Sequence, residues 1–520
     1  MLGLVVASIA LQQQVTSPPE RATFYTILNG DTIAVEHLSR SATRIEGELI
    51  ERMRGGRIRY AATLSPDASM SSAETWVYRT AYSDTIAVQH VSFTLRGDTM
   101  DIQTAAGVPA HHMATRAGSV LYINPSAGLL EQALLRAKAI GGGMAQVPLF
   151  QAAGGQTVPL SVTWVGADSA LLSLGGVEMR AAVDLAGRLT RLSVPAQDVR
   201  SVRVEGLRTA APAPPPDYSA PPGAPYTAEE VTVRTPGGVV LAGTLTLPKV
   251  HPPRGAPAVV TITGSGTQER DEALPTVRGY RPFRQLADTL GRRGIAVLRM
   301  DDRGAGGSQA GPPGATSADF ADDVRAALAY LRGRPEIDGD RIALVGHSEG
   351  GLIAPMVAAS DPRLRAIVLM AGPSHTGRAI ITYQQQYAID STLRLSGTRR
   401  DSALKAAAHR VDSLAAAQPW MKFFLDYDPL ATAKRVKQPV LVMQGATDRQ
   451  VTAEQANELA AAFRAGGNKD VTVRVLPETD HLFLSDPSGT PSGYAQLPSK
   501  SIRPEILGTI ADWLVAHVGR

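Results

Sequence analysis

The chain has 520 residues, enough for roughly two to four domains, and 44% of them are hydrophobic, which is ample for folded cores. Lysine and arginine total 52 against 48 aspartate and glutamate, interspersed so that the net charge is +4 and no basic block predicts nucleic-acid binding. Cysteine is absent, which excludes disulfides, thiolate nucleophiles and cysteine-ligated zinc.

The first 22 residues are predicted to form a signal peptide and leader. Leu2–Leu11 is an apolar run too short to span a bilayer, and small residues precede the polar Gln12–Gln14. The basic region that usually begins a signal peptide is missing. This pattern favours export to the periplasm or the medium, with a cytoplasmic location as the alternative. No other stretch has the length and apolarity that a stable membrane span needs.

Residues 23–208 predict a mainly antiparallel β domain, because apolar and polar residues alternate with the period of strands between turn residues. An internal repeat, in which Asp31–His37 recurs as Asp84–His90, favours two related antiparallel units in one curved sheet. His37 and His90 lack the spacing of metal ligands. We therefore interpret the repeat as sheet packing, and we predict neither a metal nor a cofactor.

A proline-rich segment, 209–226, cannot donate the hydrogen bonds of a β-ladder and predicts a semi-rigid linker. From residue 227 to 520, two strands are followed by alternating helices and strands. This pattern predicts an α/β fold with a doubly wound, mostly parallel sheet, whose reactive groups belong at the carboxyl ends of its strands. The eight predicted strands lie near Val231–Arg234, Leu241–Leu247, Ala258–Thr263, Ile295–Met300, Arg341–Val345, Ala366–Met370, Pro439–Met443 and Val471–Leu476.

Ser348 is the predicted nucleophile. The apolar strand Ile342–Val345 stops at a glycine-bracketed turn, Gly346–Gly350, and helix-compatible residues follow at once. Such a turn exposes the serine hydroxyl above the sheet, and its glycines leave out side chains that would clash. A serine hydroxyl needs a base to take its proton, and the base needs a carboxylate to fix its tautomer.

His481 is the predicted base, since it alone of the ten histidines follows the last strand at its carboxyl end. Asp448 follows the preceding strand and is the predicted acid. Asp480 is the alternative, although a residue next to the histidine usually points elsewhere. The predicted oxyanion-hole donors are two backbone N–H groups, that of Glu349 directly after the nucleophile and that of Ser265 in the turn after the third strand.

The chain order Ser348, Asp448, His481 and the glycine-bracketed turn resemble the α/β-hydrolase superfamily. Two motifs are further similar to bacterial esterases and serine-aminopeptidase-like hydrolases: Asp302–Ser308 and Gly346–Gly351. The resemblance covers about residues 228–520 and implies the same three catalytic roles. One departure is Thr263–Gly264, where many relatives have His-Gly, but a backbone donor does not depend on that side chain.

The resemblance also implies a helical cap over the active site, at about 373–438, where an insertion separates the sixth and seventh strands. Four aromatic side chains of this insertion fall on one helical face: Trp420, Phe423, Phe424 and Tyr427. They either hold the cap to the sheet or form a wall that binds an acyl or aryl group.

The leading hypothesis is a serine hydrolase that cleaves small-molecule carboxylic esters through an acyl-enzyme intermediate. The alternative is a peptidase or aminopeptidase that uses the same three residues on short peptides and needs an acidic clamp for the substrate amine. Three acids of the oxyanion loop are candidates for that clamp: Glu269, Asp271 and Glu272. A third interpretation is a non-enzymatic binding protein on an inactive hydrolase fold, and the complete set of catalytic residue types weighs against it.

Overall fold

The chain divides into two compact units, Met1–Pro215 and Pro216–Arg520. A computed structural model describes residues 18–519 apart from short gaps. The gaps are 29, 53–55, 79–86, 88, 105–109, 153–154, 208–215, 275–276, 313 and 393. Most of the predicted signal peptide and leader, most of the second repeat copy and the first part of the predicted linker therefore lie outside the described residues. The last residues predicted for the leader, from Glu20 on, instead begin the first strand.

In the residues that the structure describes, the first unit is one sheet of fifteen strands with one α-helix packed on it. The strands are β1 (Glu20–Leu28), β2 (Asp31–Arg40), β3 (Arg44–Glu51), β4 (Gly56–Leu64), β5 (Met70–Tyr78), β6 (Gln89–Arg96), β7 (Thr99–Gln103), β8 (His111–Ala114), β9 (Val120–Tyr122), β10 (Met144–Gln151), β11 (Thr157–Trp164), β12 (Ser169–Leu174), β13 (Val177–Val183), β14 (Leu189–Val194) and β15 (Val199–Glu205). The helix, α1 (Ala127–Ile140), comes between β9 and β10. The order across the sheet is β8-β7-β6-β5-β4-β3-β2-β1-β15-β14-β13-β12-β11-β10-β9, and every neighbouring pair is antiparallel except the parallel β9 and β10.

A buried carboxylate anchors α1 to the sheet. Alternation along β2 turns Leu38 toward the apolar core that it shares with Leu134 of α1. Glu36, two residues away on the same face, accepts hydrogen bonds from the Ser126 hydroxyl at 2.5 Å and the Gly128 amide at 2.8 Å. Burial raises the pKa of Glu36 above its usual value. The Gly128 bond satisfies one of the backbone N–H groups that the first turn of a helix leaves without an intrahelical acceptor. Together the two bonds fix the start of α1 against β2.

The two repeat histidines are far apart in the sheet. His37 lies on β2 and His90 on β6, with β3, β4 and β5 between them. Four inter-strand steps separate the two rings by roughly 19 Å, so they cannot ligate one ion. No group of three or more metal-ligating side chains occurs within the described ranges. His90 instead stacks on Trp76, with 5.0 Å between ring centroids.

The second unit is an eight-stranded mixed sheet with helices on it. Its strands are β16 (Tyr226–Arg234), β17 (Val240–Pro248), β18 (Ala256–Ile262), β19 (Ala296–Met300), β20 (Ile337–His347), β21 (Ala366–Met370), β22 (Val440–Gly445) and β23 (Val471–Leu476). The order is β16-β17-β19-β18-β20-β21-β22-β23. The pairs β16–β17 and β17–β19 are antiparallel, and the remaining neighbours are parallel. All eight overlap the strands that the sequence predicts.

Helices cover both faces of this sheet. They are α2 (Pro282–Gly291), α3 (Ser317–Arg332), α4 (Glu349–Ala358), α5 (Gly377–Tyr387), α6 (Gly397–Ala417), α7 (Pro419–Asp426), α8 (Pro429–Ala433), α9 (Glu454–Ala465) and α10 (Pro504–Val518). Ile342 and Leu344 of β20 join the apolar cluster of α3, α4 and α9, whereas Ala343 and Val345 join that of α2 and α10. In the described part of the chain, no helix combines the length and apolarity needed to cross a membrane.

The sheet topology gathers the predicted reactive residues at one edge. Strands β18, β20, β22 and β23 are parallel neighbours in the order β18-β20-β21-β22-β23, so their carboxyl ends lie side by side. Ser265 follows β18, Ser348 follows β20, Asp448 follows β22 and His481 follows β23. The crevice outside these ends is where open α/β sheets hold ligands.

Candidate active site

Ser348 occupies a strained backbone position between β20 and α4. Its φ of 53° and ψ of −115° lie where a side chain is rarely tolerated. The turn depends on two glycines whose Cβ atoms would meet backbone. A Cβ on Gly346 would lie 2.1 Å from the Gly350 carbonyl oxygen, and one on Gly350 would lie 2.1 Å from the Ile262 carbonyl oxygen. Only glycine therefore lets the turn close against the end of β18.

The structure brings Ser348, His481 and Asp448 into one chain of hydrogen bonds. Nε2 of His481 is 3.0 Å from the Ser348 Oγ, and its Nδ1 is 2.7 Å from Asp448 Oδ2. The other Asp448 oxygen accepts the amides of Gln450 at 2.7 Å and Val451 at 3.0 Å, which holds the carboxylate in place. A carboxylate at Nδ1 keeps the proton there and leaves Nε2 free to accept the serine proton.

Asp480, the alternative acid, points away from the imidazole. Its Oδ1 accepts the backbone amides of Leu482 and Leu484, both at 2.9 Å, so the side chain closes the loop that carries His481. The residue is fully buried. Burial raises the pKa of Asp480 to about 7, against the lowering effect of those amides.

The two predicted oxyanion donors border the same cavity as Ser348. Neither the Ser265 nor the Glu349 amide has a hydrogen-bond acceptor among the described residues, so both are available to a ligand. The Ser265 turn is held from two sides. The Thr263 hydroxyl donates to Asp302 at 2.9 Å, and the Gln268 side-chain amide donates to the Ser265 carbonyl at 3.0 Å.

Two further residues join this site that sequence reasoning did not assign to it. His347 lies inside the turn, where the sequence pattern gives it no role, and the sequence suggests Glu272 only as a clamp for an amine. In the structure His347 Nδ1 is 2.7 Å from Glu272 Oε1, and its Nε2 is 2.9 Å from the backbone oxygen of His481. The one signal in the sequence was that His347 is a polar residue at the end of an apolar strand. That signal could not identify Glu272, 75 positions away, as its partner.

The other acids of the oxyanion loop also have partners within the unit. Glu269 accepts the Tyr218 hydroxyl at 2.8 Å and the Ala273 amide at 2.8 Å. Asp271 is buried and ion-paired with Arg299. All three predicted clamp acids are thus engaged in holding their own loop.

A cavity of about 310 Å³ lies over Ser348. Its lining residues are Gly264, Ser265, Gln268, Glu272, Leu274, Tyr280, His347, Ser348, Glu349, Pro373, Ile380, Ile381, Gln384, Trp420, Phe424, Gln450, Val451, His481 and Leu482. Of the four predicted aromatic side chains, Trp420 and Phe424 line the cavity, stacked with 5.4 Å between centroids. Phe423 and Tyr427 stack on each other instead, outside it.

The carboxylate of Glu349 fixes the aromatic wall. Its Oε1 accepts a hydrogen bond from the Trp420 indole at 2.8 Å and from the Ser317 hydroxyl at 2.6 Å. The residue that follows the nucleophile therefore presents its backbone N–H to the cavity and ties α7 to the start of α3 with its side chain. An acidic residue at the start of a helix also interacts favourably with the helix dipole. These two hydrogen bonds give the Glu349 carboxylate a further, more specific role.

Comparisons of the sequence with known proteins support a serine-type hydrolase. A family model described as serine aminopeptidase, S33, matches residues 279–488. An esterase of Thermotoga maritima, EstD, is 27% identical over 310 residues, which cover 58% of this chain and 70% of that protein. Dipeptidyl aminopeptidase BIII of Pseudoxanthomonas mexicana is 26% identical over 212 residues, 39% of this chain and 28% of that protein. The solved Pyrococcus furiosus esterase Pf2001 is 18% identical, covers 59% of this chain and 97% of its own, and has a TM-score of 0.41.

We expect Asp448→Asn to lower kcat for an activated ester by about 10⁴-fold, the loss that this change causes in a serine protease. The amide keeps the shape but favours the wrong imidazole tautomer. Asp480→Asn is the matched control, and steady-state kinetics should show a loss of roughly tenfold or less, because Asp480 only shapes the loop. A larger loss at Asp480 would reassign the acid.

We also expect Asp480→Asn to stabilise the protein at alkaline pH. A folded-state pKa of about 7, above the unfolded value, means that stability is lost as pH rises between the two values. The neutral amide avoids that loss. The melting temperature of the Asp480→Asn variant should exceed that of the wild type by about 2–4 °C at pH 8 and by less at pH 5.

Thermal unfolding followed by circular dichroism checks this effect. Asp512→Asn, at an exposed residue paired with Arg293, should show no such pH-dependent difference. An equal or lower melting temperature for Asp480→Asn at pH 8 would mean that Asp480 is charged without penalty in the fold.

Proposed function

Because the chain belongs to the α/β-hydrolase superfamily of serine hydrolases, we propose that it hydrolyses carboxylic esters through an acyl-enzyme intermediate on Ser348. The observation that carries this proposal is the hydrogen-bonded series from Ser348 through His481 to Asp448. A nucleophile, a base and an orienting carboxylate are the parts that acyl transfer requires.

In the first half-reaction, His481 Nε2 takes the Ser348 proton as Oγ attacks the ester carbonyl carbon. The negative oxygen of the tetrahedral intermediate is stabilised by the N–H groups of Glu349 and Ser265. Asp448 stabilises the imidazolium that forms. The C–O bond to the alcohol then breaks, and the proton on Nε2 passes to the departing oxygen.

In the second half-reaction, His481 Nε2 removes a proton from water, whose oxygen attacks the acyl carbon of the ester to Ser348. The second tetrahedral intermediate collapses, the Ser348 Oγ leaves and recovers its proton, and the carboxylic acid product is released. No metal or cofactor enters either half-reaction.

The cavity wall supports an uncharged, largely apolar substrate. Trp420, Phe424 and Ile380 contribute apolar surface beside the nucleophile. The carboxylates that line the described wall, Glu272 and Glu349, already have partners inside the protein. Glu272 Oε2 has no hydrogen-bond partner among the described residues, but it is buried and belongs to a carboxylate that His347 already pairs, which supports ester rather than aminopeptide cleavage.

We propose that the helical segment at about 373–438 acts as a cap over this cavity. Its helices α5 and α7 both contribute lining side chains, Ile380 from the first and Trp420 from the second. The segment would then select substrates by the size of the group that fits beneath it.

Peptide hydrolysis by the same residues is the second candidate, and it is supported by the matching serine aminopeptidase model and the dipeptidyl aminopeptidase relative. An amine is a worse leaving group than an alcohol, so amide cleavage makes a greater demand on His481 as an acid. The two candidates differ in substrate and share the chemistry at Ser348.

We expect the wild-type protein to react with a fluorophosphonate at Ser348 and to hydrolyse p-nitrophenyl butanoate. Ser348→Ala should abolish labelling and lower ester turnover by about 10⁵- to 10⁶-fold, because the nucleophile is lost. Ser360→Ala, at the far end of the turn's helix, is the matched control and should keep both activities. Mass mapping of the labelled peptide identifies the residue.

The same preparation distinguishes ester from peptide substrates. The kcat/KM for p-nitrophenyl butanoate should exceed that for aminoacyl p-nitroanilides by about 10²-fold or more. Faster anilide turnover would support the aminopeptidase alternative. Absence of both labelling and turnover would support a non-enzymatic protein.

We expect Trp420→Ala to shift ester preference toward longer acyl chains. The change enlarges the cavity, so the ratio of kcat/KM for octanoate over butanoate esters should rise by roughly tenfold. Phe423→Ala removes an aromatic ring from the same helix outside the cavity and should leave the ratio unchanged. An unchanged ratio in both variants would mean that Trp420 contributes only packing.

A further inference from the structure

We propose that Glu272 and His347 form a buried positioning pair that holds the oxyanion turn and the catalytic imidazole in register with each other. This inference rests on the proposed function, because it assigns the pair a role in acyl transfer at Ser348. Neither residue touches the reacting atoms. Each acts through a backbone group of a neighbouring segment.

The Glu272 end of the pair holds the oxyanion turn. Its Oε1 accepts the Gly264 N–H at 2.8 Å, directly before Ser265, and also faces His347 Nδ1 at 2.7 Å. One oxygen thus joins the turn to the strand that carries the nucleophile. Glu272 is only 1% exposed and has a φ of 58°, a backbone conformation that surrounding contacts must maintain.

Close packing leaves this carboxylate little freedom. A Cβ placed on Gly264 would lie 3.1 Å from Glu272 Oε1 and 3.3 Å from the Ser348 Cβ. The carboxylate oxygen, the turn and the nucleophile therefore converge on one glycine. A shift of Glu272 would be transmitted directly to the Ser265 N–H, whose aim decides how well the oxyanion is bound.

The His347 end of the pair holds the catalytic base. Its Nε2 is 2.9 Å from the backbone oxygen of His481, and its ring centroid is 5.0 Å from the His481 ring. Because a carbonyl oxygen only accepts hydrogen bonds, Nε2 must carry a proton. The position of the His481 backbone, and hence of its imidazole, depends on this bond.

Geometry also fixes the charge of His347. Nδ1 faces a carboxylate oxygen and Nε2 faces a carbonyl oxygen, so both nitrogens must donate and the ring is an imidazolium. Burial alone lowers the pKa of His347, but Glu272, the His481 carbonyl and Asp448 together raise it. The negative charge of Glu272 balances the positive charge of the imidazolium. Burying either charge alone would cost desolvation free energy, and the pairing offsets that cost.

Other ionisable groups around the pair are consistent with this charge state. Asp448 faces His347 from the loop after β22. Burial raises the pKa of Asp302 and of Tyr280, and the nearby negative carboxylate of Glu272 adds to both shifts. The described residues around the pair contribute no lysine or arginine to the catalytic cavity, so His347 is its local cation.

The experiment measures phosphonate labelling rates and ester kinetics in Glu272→Gln, His347→Gln and the double variant. Glu272→Gln removes the charge that keeps the His347 ring doubly protonated, and His347→Gln removes the ring that spans Glu272 and the His481 carbonyl. Misplacement on the scale of 1 Å should then slow labelling and lower kcat by about 10- to 100-fold. KM should stay within about twofold, since the apolar side chains of the cavity wall, Trp420, Phe424 and Ile380, are unchanged. Because both residues act as one unit, the double variant should be no slower than the worse single variant.

An exposed glutamate and histidine pair provides the matched control. His375 Nε2 lies 2.8 Å from Glu458, and neither residue lines the cavity. His375→Gln and Glu458→Gln should keep labelling rates within about twofold of the wild type. Unchanged rates in the Glu272 and His347 variants would overturn the positioning pair while leaving the proposed function intact. A wild-type protein that is not labelled would instead count against the proposed function.

A measurement on the wild-type protein tests the pair without any substitution. In protein labelled with ¹⁵N-histidine, the His347 ring should show both nitrogens protonated at pH 7, where a free imidazole is mostly neutral. His347→Gln identifies the resonances. A neutral His347 ring at that pH would overturn the proposal even if the variants failed to fold.

Discussion

A serine held at positive φ between a strand and a helix constrains every other group of the active site. The turn can close only because Gly350 lies against the carbonyl of Ile262, at the end of β18. That contact brings the oxyanion turn beside the nucleophile. Gly351 also packs against backbone, at Gly372 after β21, where a Cβ would lie 2.6 Å from the Gly372 Cα. Because glycine has no side chain, these residues set the distances between the ends of β18, β20 and β21. The polar groups of the site then take their places within that geometry.

The sequence predicted those parts of the fold and site that depend on local pattern. Alternation and apolar runs located all eight strands of the second sheet, and position after a strand end singled out Ser348, Asp448 and His481, which the structure brings together. The position of Asp448 after a neighbouring strand also favoured it over Asp480 as the carboxylate that meets His481. In the structure the Asp480 side chain instead accepts the Leu482 amide of its own loop. These inferences need only one strand or one turn at a time.

Contacts between distant segments could not be predicted in this way. Glu272 and His347 are 75 positions apart, and no spacing rule relates a loop acid to a turn histidine. The aromatic face of α7 was equally ambiguous, because helical period cannot say which neighbour a face meets. Trp420 lines the cavity with its indole held by Glu349, which is 71 positions away. In the first unit, alternation and the internal repeat predicted antiparallel strands in one sheet, but not the strand order, in which β1 pairs with β15.

The strand order of that first sheet constrains when it can form. Each half is a series of strands that mostly pair with their neighbours in the chain, but the halves join where β1 meets β15. Thr26 and Ser201, bonded across this junction, are 175 residues apart. Closing so long a loop is entropically costly and slow compared with forming hairpins. During synthesis, β1 must therefore wait with one edge uncovered until nearly the whole unit has left the ribosome, which makes this edge the point most exposed to mispairing with other chains.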